Sequence, residues 1–176
     1  MNNVDKFLTN FGKYVVKQAR TKLTKGKKNA TKELYDSISY KVIKSADGVD
    51  VQFLMKYYGQ LVDKGVSGVK VKRGFTNYQG ETLTSPYKRT KQPPPAPLEK
   101  WIKIRGLKGR DKATGRFITN KSFAFLIGRS IKNKGAKALM FFQRPLGLAL
   151  KTFGTDLQVA INKDIQDVLD NIKFNK

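Results

Sequence analysis

From Leu146 to Ile172 the chain places an apolar side chain every three or four residues without a slip. The series is Leu146, Leu150, Phe153, Leu157, Ile161, Ile165, Val168 and Ile172. That spacing gathers eight side chains into one stripe of an α-helix. Pro145 suits its first turn, because the amide it lacks would have no partner there. Gly147 and Gly154 cost about 1 kcal/mol each relative to Ala but leave the phase intact. At about 1.5 Å per residue the helix runs about 40 Å, long enough to extend past its own domain and pack on a neighbour.

The other end reads the same way. Val4, Phe7, Leu8, Phe11, Val15 and Ala19 share one side of a helix over about 3–25, with Lys6, Lys13, Lys17 and Arg20 opposite. Gly26 and the basic turn Lys27-Lys28-Asn29 supply the stop. The apolar side lacks an interfacial Trp, so packing on a core is favoured over lying on a membrane. A short helical turn is predicted at 31–39, with Thr31 as its cap.

Two β-prone runs follow, 40–44 and 49–55. They are joined by Ser45-Ala46-Asp47-Gly48, whose Asp-Gly pair supplies the positive φ of a tight reversal. Val49, Val51, Phe53 and Met55 alternate with Asp50, Gln52 and Leu54, which gives a hairpin with one buried face. Tyr57 to Gly65 closes this regular region. Residues 66–97 are rich in Gly, Lys, Tyr and Pro, and Pro93, Pro94, Pro95 and Pro97 exclude a sheet centre. An extended arm is predicted there, with one β-excursion at Val69 and Val71. Beyond it come a helix at 98–105 opened by Pro97, a basic loop at 106–115, and a helix at 123–133 capped by Ser122. A core strand is predicted at 138–142. The fold class is α+β over residues 1–176 as one domain: a small antiparallel sheet packed against the N-terminal and the long C-terminal helix.

Charge restricts the function further. Lysine and arginine number 36 against 13 acids, a formal net charge of +23, and the excess is segregated. Residues 13–32 hold eight basic groups and no acid, residues 64–116 hold fourteen against three, and residues 117–154 hold seven and no acid. Such stretches repel themselves unless something neutralises them, so polyanions or acidic protein surfaces are the expected partners.

Catalytic options are few. Without Cys or His there is no thiol nucleophile, no thiolate metal site and no His-based triad. The glycines at 106–109 and 115 lack the Gly-Lys-Ser/Thr ending of a phosphate loop, and no serine sits in a nucleophile elbow. Asp47, Asp50 and Asp63 near the hairpin, or Asp164, Asp167 and Asp170 on the last helix, are the only carboxylate groupings that a magnesium-dependent nuclease could use. Turn chemistry, a wet strand face and solvation explain them more simply. No metal, cofactor or catalytic residue is assigned. No apolar run can span a bilayer, neither end reads as a signal peptide, and the Asn29 and Asn120 tripeptides are chance matches to a glycosylation site.

The candidate contacts are cations interleaved with rings: Lys70, Lys72, Arg73, Lys88, Arg89, Lys91, Arg105, Lys108 and Arg110 among Phe75, Tyr78, Tyr87, Trp101 and Phe117. Phosphates take the cations and unstacked bases take the rings. Nothing resembles a helix-turn-helix, zinc finger or RNA-binding signature, so nucleic-acid contact would be sequence-nonspecific.

Leu34 to Ile38, the hairpin, YYGQLVDKGVSG (Tyr57 to Gly68), GRF (Gly115 to Phe117), SFAFLIGRSIKNKG (Ser122 to Gly135), LMFF (Leu139 to Phe142) and the long last helix carry a resemblance. In that order they resemble the small neck proteins of tailed bacteriophages, the tail-completion or head–tail joining type. The resemblance implies a non-catalytic α+β protomer that assembles into a homo-oligomeric ring in the virion neck. Its partners would be further copies and the adjacent portal, neck and tail proteins. Its synthesis would be in the host cytoplasm, its contact with double-stranded DNA nonspecific, and membrane contact absent. It also implies that Tyr57 to Gly68 lies near the sheet and a subunit boundary. The arm at 66–97 would then reach the next protomer or an adjacent ring, where burial by a partner orders it.

Overall fold

A computed structural model of the chain describes residues 3–27, 31–45 and 48–174. Helix α1 spans Asn3–Lys25, the short α2 Glu33–Ser37, and strands β1 and β2 Ser39–Ser45 and Gly48–Leu54. Then come α3 (Tyr58–Lys64), β3 (Gly74–Thr76), β4 (Thr82–Thr84), α4 (Pro95–Arg105), α5 (Asn120–Lys134) and α6 (Gln143–Phe174). The fold is α+β, with long helices at both ends.

Helices α1 and α6 form an antiparallel pair. Asn3 at the start of α1 meets Asp164 late in α6, while Val15 and Ala149 share one buried cluster. Phe153 sits edge-on to Phe7 and Phe11, with centroids 6.0 and 5.8 Å away. The β1–β2 hairpin pairs Ser39 with Leu54 through Ser45 with Gly48. It lies across this pair through Phe53, whose ring is 6.2 Å from Phe11 and 5.2 Å from Phe142. A second cluster joins α1 to α2 and the α6 approach through Ala19, Leu23, Leu34, Ile38 and the fully buried Phe141. The alternation of β2 survives only near the core. Val51 and Phe53 are partly covered, but Val49 stands in solvent.

Several expectations need correction. Ala46 and Asp47 of the hairpin reversal, and Lys28 and Asn29 of the basic turn with the Asn29 tripeptide, lie outside the described residues, while Gly48 takes the expected positive φ, at 153°. At the end of α1 the left-handed residue is Lys27 (φ 52°), one past Gly26. Thr31 does not cap α2, whose first turn follows a left-handed Lys32 with no side-chain cap. Tyr57 to Gly65 is largely helical, as α3. Helix α4 begins at Pro95 and not after Pro97, because prolines in a first turn sacrifice no helical hydrogen bond. Thr119, not Ser122, caps α5, its hydroxyl accepting from the Ser122 amide at 3.2 Å.

The predicted strand at 138–142 is not a strand. Met140 takes a left-handed φ of 51°, which breaks any extended run. The amides of Leu139 and Met140 donate to the carbonyls of Val62 and Asp63 at 3.0 Å each. The apolar run is a buried connector, with Phe141 anchoring it.

The largest correction concerns 66–97, which is folded onto the body and is not an extended arm. Val66 and Ala136 exchange amide-to-carbonyl bonds of 2.9 and 2.8 Å, and the amides of Val69 and Lys70 donate to Lys132 and Asn133 at the end of α5. The excursion at Val69 and Val71 makes no ladder; the strands are β3 and β4, paired Gly74 to Thr84. Their loop rests on the start of α6, where the Tyr78 amide donates to Gln143 Oε1 at 2.9 Å. Gly147 leaves room there for the Tyr78 carbonyl. Backbone polar groups find partners inside the chain even where the sequence has no periodicity, because leaving them unpaired is costly.

Candidate interaction surfaces

The nine predicted cations do not form one patch. Lys70, Lys72, Arg73, Lys88 and Arg89 come together around Ser67, whose amide and carbonyl bond to Tyr87 and Arg89 at 2.8 Å. Lys132 and Lys134 at the end of α5 join them through the backbone contacts of this segment. Their carbonyls form the partly negative end of the α5 dipole, which steadies cations held nearby. Lys91 follows on the same outward segment. Lys108 and Arg110 belong to a separate small hairpin, where Arg110 bridges to Phe117. Arg110 lies over the Phe117 ring at 4.3 Å and Lys108 at 5.8 Å. Asp111 shapes this tip: its Oδ1 accepts from the Thr114 and Ala113 amides, and these bonds, that of Thr114 foremost, hold its carboxyl below the usual range.

Two of the nine donate side-chain hydrogen bonds inside the protomer. Arg73 Nε donates to the Lys134 carbonyl at 2.8 Å, closing the C-terminal end of α5. The Arg105 guanidinium donates to the carbonyl of Lys27 just past α1. Arg20, placed by the sequence on the wet side of α1, donates to the carbonyls of Tyr35 and Ile38 and stacks on Tyr35. In each case a guanidinium reaches carbonyls at or just past a helix end, where internal partners run out.

The rings divide similarly. Phe75 is buried under Lys64, and the Tyr87 hydroxyl donates to Gln60. Tyr78, Trp101 and Phe117 remain exposed, Phe117 the most at 60%. Trp101 borders an apolar groove of about 740 Å³. Leu98 and Trp101 of α4, Ile127 and Ile131 of α5, Tyr58 of α3 and Leu139 line it, and Lys27, Lys32, Arg105 and Lys137 stand around them.

The carboxylates are used structurally. Asp63, almost fully buried, accepts the Phe142 amide at 2.8 Å and the Gln143 amide at 3.4 Å, and so caps α6 from α3. Burial pushes its carboxyl up, and the two amides pull back only in part. Asp164 is not merely solvated: it accepts the Asn3 and Val4 amides at 2.7 and 3.0 Å and caps α1. Those bonds, the Val4 amide first, draw its carboxyl down. Asp5 pairs with Lys44 at 2.5 Å. Among the described residues, no three acidic side chains gather as a metal-holding group. No helix among them is long and apolar enough to cross a membrane.

The last surface is α6 itself. From Leu146 to Ile172 seven steps cover 26 residues, about 3.7 per turn against about 3.6 for a straight helix. The stripe therefore drifts by roughly 80° around the axis over its length. Its early members, with Leu146 and Phe153, face α1. Its late members, Ile161, Ile165, Val168 and Ile172, have turned out of the α1 contact and are 41–59% exposed. Beyond Asp164, level with the start of α1, the helix continues to Phe174, about 15 Å further.

Comparison with protein-family models, curated proteins and solved structures finds no match to this chain.

Proposed function

We propose that this chain is a structural protein of the bacteriophage neck. It is a protomer of a homo-oligomeric ring that joins the portal side of the head to the tail, and it works by assembly and not by catalysis. The motif order from Leu34 to Phe142, followed by a long last helix, supports the assignment to the neck. The observation that carries assembly is surface area. The protomer exposes 12251 Å², where a compact monomer of its mass, 19.9 kDa, exposes about 8,700 Å². The excess, about 3,500 Å², is on the scale of the area a protomer loses in obligate assemblies. Exposed large apolar side chains also concentrate on one element, with eight of them on α6. A closed head-to-tail interface repeated around an axis would cover both. The folded 66–97 segment then offers a surface and not a reaching limb. Its cations would form a positive belt against acidic neck partners, in the virion.

The test is the assembly state. Purified protein, alone and with its portal-side and tail-side neighbours, is expected to give ring-shaped particles by electron microscopy and mass photometry. A monomer at every salt concentration, with those neighbours present, refutes the proposal.

A second reading, sequence-nonspecific nucleic-acid binding, draws on the cluster around Ser67 and on Phe117 beneath its two cations. It requires an affinity for duplex DNA that falls linearly in log salt. Absence of DNA retention at low salt removes it.

A further inference from the structure

Resting on the ring reading, we infer that the overhanging end of α6 docks into the α4–α5 groove of a second copy of this chain, and that this head-to-tail contact is the ring interface. Three observations lead there. First, the outward rotation of the stripe leaves Ile165, Val168 and Ile172 53–59% exposed, although their spacing is that of a packed helix face. Second, the chain has a receptor of matching character. The groove is floored by Leu98, Trp101, Ile127 and Ile131 and lies open, with Trp101 38% exposed. Third, the charges complement. The overhang, residues 165–174, carries Asp167 and Asp170 against Lys173, a net −1 in a chain of net charge +23. The groove is surrounded by Lys27, Lys32, Arg105 and Lys137, with no carboxylate among its lining residues. An apolar helix face flanked by Asp167 and Asp170 thus meets a groove that pairs apolar walls with a cationic rim.

The geometry also selects between a ring and a simple pair. Tail and groove are different surfaces, so each copy offers one of each and the contact repeats. Pairing of two α6 tails would bury the stripe but juxtapose their carboxylates. It would leave the groove empty and stop at two copies. DNA fits the tail poorly, since a phosphate backbone meets like charge there.

The test uses two full-length variants. The tail variant combines Ile165→Asp with Val168→Asp, both at exposed positions. The groove variant combines Trp101→Ala with Lys137→Glu. Circular dichroism and melting confirm that each is folded, and if Trp101→Ala disturbs the fold, Lys137→Glu with Lys32→Glu replaces it. Each variant alone is expected to self-associate at least a hundredfold more weakly than wild type by mass photometry and sedimentation. Mixed one to one, the two are expected to form a heterodimer and nothing larger, because only one live tail and one live groove remain. Wild-type rings that neither variant disrupts would overturn this interface while leaving the ring. So would a groove variant that assembles normally while the tail variant does not, which is the signature of tail-to-tail pairing. A wild-type chain that stays monomeric alone and with its neck partners overturns both.

Discussion

Asp63→Ala is expected to unfasten the start of α6 from the body. Asp63 Oδ1 is the acceptor for the Phe142 amide at 2.8 Å and the Gln143 amide at 3.4 Å, in a residue only 3% exposed. Loss of an N-cap costs about 1 kcal/mol. Leaving the covered Phe142 amide unpaired adds about 1 to 3 kcal/mol. The expected loss is therefore about 2 to 4 kcal/mol. For a chain of this length that is a fall of roughly 6 to 12 °C in melting temperature, at about 3 °C per kcal/mol. Asp63→Asn keeps an acceptor oxygen in place and removes the buried charge, so its cost should stay below about 1 kcal/mol. The pH dependence gives a second check. Burial holds the folded carboxyl above its unfolded value of 3.8. The stability this group contributes is thus present below that value and lost as pH rises through the raised folded one. Wild type should gain on Asp63→Asn as the pH falls from neutral towards 4, the other carboxylates cancelling between the two proteins. The assay is chemical and thermal unfolding followed by circular dichroism from pH 7 to pH 4. Equal losses for Ala and Asn, or a wild-type advantage that grows with rising pH, would refute the reasoning.

Three further outcomes follow from the same contacts. Asp164→Ala should lower the melting temperature by less than Asp63→Ala, and its effect should fade as pH falls through the lowered folded pKa, because a depressed carboxyl contributes only above it; no fading on titration would count against the cap. Gly135→Ala puts a Cβ against the Val66 carbonyl at a φ of 67°, so a loss of about 2 to 3 kcal/mol with faster proteolysis inside 66–97 is expected, and unchanged proteolysis would mean the segment is not held there. If the chain binds duplex DNA, neutralising Lys70, Lys72, Lys88 and Lys132 together should flatten the log-affinity against log-salt slope by up to about 3.6, while Arg73→Gln should mainly lower stability, since its guanidinium closes α5; an Arg73→Gln that changes only the slope would reverse the assignment.

The two long terminal helices were legible because their signal is local, whereas α3, seven residues long, has too few turns to show a period. The α1 boundaries and the course of α6 follow from apolar spacing alone, and the hairpin at β1 and β2 from alternation around a turn. The strand expected at 138–142 failed because a five-residue apolar run fits any buried conformation, and its backbone partners, Val62 and Asp63, lie more than seventy residues earlier. The segment 66–97 misled for the same reason. Its hydrogen bonds run to Lys132, Asn133 and Ala136, and no pattern within the segment encodes them. Of the nine candidate cations, counting charge could find the group around Ser67 only in part. It could not separate an Arg73 that closes a helix from a Lys70 that faces water. The caps made by Asp63 and Asp164 carry no local signature, since each serves a helix start far off in sequence.

These long-range caps bear on how the tail of α6 stays extended. A helix end projecting about 15 Å from its body, with an apolar stripe in water, has little tertiary packing to hold it. Here the helix is fixed at both ends of its packed length: Asp63 anchors its first turn, and its own Asp164 clasps the start of α1. The overhang therefore begins from a rigid point and not from a frayed one. That lowers the ordering entropy a docking partner must offset. A stripe that drifts off one partner in the middle of a helix, at a place where the backbone is pinned, is the arrangement expected of an element that serves its own core with one half and another molecule with the other.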